Sequence, residues 1–114
     1  MANDQDRHRT VTLREEDDGE DSRRLTASIT PDGDLRVEGH DSGPATAVVS
    51  STGEYEWVTT VAAADLGRLV ALLGGPTGEG LLDVLERSFT GAGSYELERI
   101  LRESDLPVER WTWR

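Results

Sequence analysis

The segment Gly39-His40-Asp41-Ser42-Gly43 carries the three residue types of a serine hydrolase: a hydroxyl nucleophile, an imidazole base and a carboxylate to orient it. That chemistry needs the three groups to converge from separate elements, with the base held between the other two. Neighbours on one short segment do not reach such an alignment, and the spacing is not that of the Gly-x-Ser-x-Gly elbow. The segment reads instead as a polar loop, continuing to Pro44. The acidic run from Glu15, Glu16, Asp17 and Asp18 through Gly19 to Glu20 and Asp21 offers oxygens to a hard cation. Calcium loops, however, space their carboxylates so that they wrap one ion, and consecutive acids on a strand and turn splay apart. The run reads as a solvated, charged turn. His8 and His40 have no second histidine at ligand spacing. Gly74-Gly75-Pro76-Thr77-Gly78 lacks the lysine and the preceding strand of a phosphate loop. No catalytic, cofactor-binding or metal-binding residue is assigned, and the chain is read as a non-enzyme without a cofactor.

The aromatic residues are the other candidates. Tyr55 and Trp57 share one face of a strand over residues 54–61, and Trp111 and Trp113 share one face of a strand over 108–113. If these strands are neighbours, four rings can lie on one sheet surface. Such a surface is either a stacking platform and interface hot spot or the core that meets the helices. In a chain with one Phe and one Met, the core reading is preferred for Trp57 and, less strongly, for Trp113.

The elements that must position these residues follow from hydrophobic period. Residues 1–9 are polar and aperiodic and read as a disordered tail ahead of a single domain over 10–114. Val11 and Leu13 alternate on one face, then Leu25, Ala27 and Ile29, then Leu35 and Val37, each a half-buried strand. Thr30-Pro31-Asp32-Gly33 is a hairpin turn, with proline presetting one angle and glycine accepting positive φ. Residues 45–50 fit either a short helix after Pro44 or a strand opened by Val48 and Val49. Leu66, Leu69, Val70, Leu72 and Leu73 recur at the helical period. Leu81, Leu82, Leu85 and Phe89 mark a second helix with Thr77 as its cap. Leu97, Ile100 and Leu101 mark a third, with Ser94 as its cap. Strands first, then helices, then one strand predict an α+β fold: an antiparallel sheet of four or five strands with two or three helices on one face.

Charge bounds the partners. The 114 residues hold 23 acids and 12 basic residues, all of them arginine, for a net charge of −11. Such a surface repels nucleic-acid backbones and anionic lipid. There is no cysteine, hence no disulfide or thiolate site. The first residues have no apolar core of a secretion signal and no window has the length of a membrane span, so a cytoplasmic location is expected.

The stretch Gly53-Glu54-Tyr55-Glu56-Trp57-Val58-Thr59-Thr60-Val61, the leucine helix after it and the ending Leu106-Pro107-Val108-Glu109-Arg110-Trp111-Thr112-Trp113 resemble a set of small actinobacterial proteins with no assigned activity. The resemblance spans roughly residues 25–113. It implies an actinomycete source, in keeping with arginine in place of lysine, and a compact α+β domain; it implies no function. The leading expectation is a small acidic protein that binds another protein, with an immunity or antitoxin role against a basic partner as its concrete form. The interaction surface is expected among Tyr55, Trp57, Trp111, Trp113, Glu15, Glu16, Asp17 and Asp18. The competing expectation is a small-molecule or enzymatic pocket between sheet and helices, lined by Tyr55, Trp57, Trp111 and nearby carboxylates such as Glu54 or Glu56. A homodimer through the edge of the last strand is a third.

Overall fold

A computed structural model describes residues 9–44, 46, 53–74 and 80–113. Five strands follow one another across one antiparallel sheet in the order β1-β2-β3-β4-β5: β1 Thr10–Asp17, β2 Ser22–Ile29, β3 Leu35–Ser42, β4 Glu54–Val61 and β5 Val108–Trp113. Among the described residues between β4 and β5 are a 3-10 turn (Ala63–Asp65) and three helices: α1 Leu66–Leu72, α2 Leu81–Ser88 and α3 Ala92–Glu103. The α+β reading is therefore right. The choice between helix and strand for 45–50, apart from Thr46, lies outside the described residues, as do residues 1–8 and the Thr77 cap.

Alternation sets the two faces of the sheet. Val11, Leu13, Leu25, Ala27, Ile29, Leu35, Val37, Trp57 and Val61 point to one side and are buried. There they meet Leu69 of α1, Leu82 and Leu85 of α2, and Leu97 and Leu101 of α3 in a single core. The turn at Thr30–Gly33 forms as expected: Gly33 has φ 90° and donates its N–H to the Thr30 carbonyl at 2.8 Å.

Five local expectations are corrected. Gly39 to Ser42 is not a loop but the second half of β3, paired with β2 and β4 throughout. Glycine is tolerated there because the Trp57 indole lies directly against its Cα, in the space a Cβ would fill. Likewise the turn after β1 is shorter than the acidic run, because the strand continues to Asp17. Ser94 does not cap α3; it sits inside the helix, fully buried, and donates to the Gly91 carbonyl at 2.6 Å. Leu72, placed inward by its period, is 48 % exposed at the end of α1. Arg9, assigned to the tail, pairs with Asp83 and Glu86 of α2 at 2.6 and 3.1 Å.

The two edges of the sheet differ. In β1 the register slips between Thr12 and Arg14, so that Leu13 and Arg14 together oppose Leu25. This bulge turns both residues inward, where both are buried. The Leu13 carbonyl accepts the Gly91 N–H at 2.8 Å, which ties the bulge to the turn between α2 and α3. β5 has no such irregularity: its six residues pair one-to-one with β4. All six are exposed, because the helices cover β1 to β4 and leave β5 bare on both faces.

Candidate functional site

Two polar regions lie on opposite sides of the sheet. On the helix side the bulge delivers Arg14, only 4 % exposed, beneath α3. Its Nε donates to Ser94 Oγ at 2.9 Å and its Nη2 to Glu98 Oε1 at 2.6 Å. The guanidinium stacks 3.6 Å from the Tyr95 ring centre. Glu98 uses its second oxygen to accept the Trp57 indole N–H at 3.0 Å, and the Tyr95 hydroxyl donates to Glu16 at 2.6 Å. Arg14, Ser94, Glu98 and Trp57 thus form a closed network in which charge and indole N–H are satisfied. A buried polar group is costly unless paired in this way. The arrangement holds sheet and helix in register and offers no free group for chemistry.

Asp41, at the margin of this network, is the exception: its Oδ1 is buried without a hydrogen-bond partner. Burial pushes its carboxyl above the ordinary 3.8, against the opposing pull of Arg23 and Arg14. A carboxyl that keeps its proton longer when folded contributes stability that is full below the unfolded value and is lost as pH rises through the folded one. Asp41→Asn, neutral at every pH, is therefore expected to raise the melting temperature at pH 7, with the gain shrinking at pH 3. Melts at the two pH values that show the same shift would contradict this origin.

The other side of the sheet is uncovered. Register places Glu54, Glu56 and Val58 of β4 beside Trp113 and Trp111 of β5, with Glu56 opposite Trp113 and Val58 opposite Trp111. His40 of β3 lies 3.5 Å from Glu54 and 3.7 Å from Glu56. A shallow recess of about 570 Å³, open to solvent, runs across this face between Arg36, His40, Glu56 and Trp113. Among the described residues the face carries Glu15, Asp17, Glu38, Glu54, Glu56 and Glu109 against two guanidinium groups, Arg24 and Arg36.

The aromatic candidates are therefore split, which corrects the expectation of four rings on one surface. Trp57 opposes Thr112, not a tryptophan, so the residues at 111 and 113 fall on the opposite face from Tyr55 and Trp57. Trp57 is core, as expected, with Tyr55 packed half-buried against it at 5.5 Å between ring centres. Trp113 is not core: it is 50 % exposed, and Trp111 is 65 % exposed. The acidic run is also divided. Glu15 lies on the open face and Glu16 on the helix face, while Asp17 accepts the Gly19 N–H and Asp18 accepts the Glu20 and Asp21 N–H groups. Asp17 and Asp18 are turn-forming residues.

Arg14 and Glu98 escaped the sequence reading, and Ser94 entered it only as a helix cap. One signal was present: Ser94 and Glu98 stand four apart on α3 and flank the buried Leu97, and polar residues on a buried stripe require a partner. Among the described residues no group of three His, Cys, Asp or Glu side chains could hold a metal ion. Among them, too, no helix is long and apolar enough to cross a membrane. Compared with models of protein families, with curated proteins and with solved structures, the chain matches none.

Proposed function

We propose that this protein acts by binding another protein through the open face of its sheet, around Trp111 and Trp113, without catalysis. The observation that carries this reading is the pair of indoles, 65 % and 50 % exposed side by side on an uncovered sheet face. Large apolar rings cost solubility when left in water, and tryptophan is a frequent energetic anchor of interfaces. The excess of carboxylates around them suits a basic partner and speeds the encounter with it. An immunity or antitoxin role is one form of such binding. The competing pocket would need Tyr55, Trp57 and Trp111 around one cleft, and the sheet stands between Trp111 and the other two.

The test compares two baits, the native chain and Trp111→Ser/Trp113→Ser, in pull-downs from the organism that encodes the protein. A stoichiometric partner held by the native chain, lost from the variant and weakened as salt rises supports the reading, since exposed charges are screened by salt. Both variant positions are solvent-facing, so circular dichroism should be unchanged. Equal recovery by both baits, or bait alone, would count against it.

A further inference from the structure

We infer that β5 is a docking edge, and that its occupant is an extended, cationic segment of another protein, added antiparallel or parallel as a sixth strand with arginine or lysine side chains over Trp111 and Trp113. The inference rests on the protein-binding reading above and names the partner's chemistry.

The contrast between the two sheet edges is the first support. A strand edge presents unpaired N–H and C=O groups that invite another strand, and edges are commonly blunted by bulges, charge or cover. β1 has two of these protections: the bulge at Leu13 and Arg14, and the carboxylates Glu15 to Asp17. β5 runs straight over six residues with no register shift, has no proline within it, and has neither face covered. Among the described residues none pairs with its outer edge, and main-chain pairing to such an edge is an established way to bind a peptide.

Charge selects the occupant. On the half of the open face nearest this edge, β4 and β5 present Glu56 and Glu109 and, among the described residues, no guanidinium. Arg110 falls on the opposite face, opposite Thr59. Side chains of an added strand alternate, so every second residue comes beside Trp111, Trp113 or Glu109. A cation in that position gains both the indole face and the nearby carboxylates. A second copy of this chain is disfavoured by the same arithmetic, because each copy brings a net charge of −11.

The experiment selects eight-residue displayed peptides from a random library against the full chain. The winning peptide is then synthesised with N-methyl groups on its odd or its even amides. The expected result is enrichment of arginine or lysine at alternate positions. One methylation set should weaken binding at least tenfold and the other leave it within about twofold, because only one edge of the peptide faces β5. Binders indifferent to both sets but lost on Trp111→Ser/Trp113→Ser would overturn strand addition while leaving the open-face reading intact. Binders indifferent to that double substitution would remove both. Winners without alternating cations, no enrichment at all, or a dimer by sedimentation at micromolar concentration would each overturn the inference.

Discussion

Glu98→Ala is expected to cost about 3 kcal/mol of folding stability, read by urea or thermal denaturation. The substitution leaves the Arg14 guanidinium buried without its ion-pair partner, with Ser94 and the Tyr95 ring still in contact. It also strips the Trp57 indole N–H of its acceptor. Breaking a buried ion pair by deleting one partner costs about 3–5 kcal/mol, because the other charge stays where water cannot reach it. The low end applies because the Glu98 side chain retains 22 % of its exposure, which lets some water in. Arg14→Met in the same background should recover part of the loss, since removing both charges is far less harmful than removing one. A loss under about 1 kcal/mol for Glu98→Ala would mean that solvent already satisfies the pair.

Trp57→Ala should cost about 3–5 kcal/mol, the range for emptying an aromatic site in a packed core. The ring is 5 % exposed, packs on Tyr55 and covers the Cα of Gly39 on the adjacent strand. The same site can be tested from the other strand. In Gly39→Ala the new Cβ occupies the space of the indole, so Trp57 must move and abandon Glu98. Over-packing of this sort costs about 1–3 kcal/mol. The two substitutions should be strongly non-additive, since once the ring is gone the alanine at 39 has room. Additive losses would show that Gly39 and Trp57 act separately.

These sites also mark how much the sequence revealed. The strands β1 to β4 were legible because each has one buried face, and alternation reports burial directly: Leu25, Ala27 and Ile29, or Leu35 and Val37, admit one reading. The helices were legible for the corresponding reason at a period of 3.6. The phase of β5 relative to β4 was not. Alternation within Val108–Trp113 shows that Trp111 and Trp113 share a face; it does not show which face, and a shift of one residue reverses it. Both outcomes fit the composition, and only the pairing of Trp57 with Thr112 decides between them. Arg14 was hidden by the bulge, which breaks the period at the position where it matters. Gly39 to Ser42 looked like a loop because glycine and serine usually punctuate strands; here the glycine makes room for an indole.

The sheet order has a consequence for how the chain comes together. β2, β3 and β4 are each bonded to the strand that precedes them, so these pairings join near neighbours. β5 reaches β4 only after residues 62–107 have intervened, with all three helices among them. Contacts between distant residues form later than local ones, because the intervening chain must first be constrained. β4 is therefore the outer strand until residues 108–113 pair with it, and the tryptophan-bearing strand joins after the four strands that precede it in the chain. In pulse-labelled refolding, β5 amides should gain protection after those of β2 and β3. The surface assigned to partner binding comes into being only once the rest of the domain is in place.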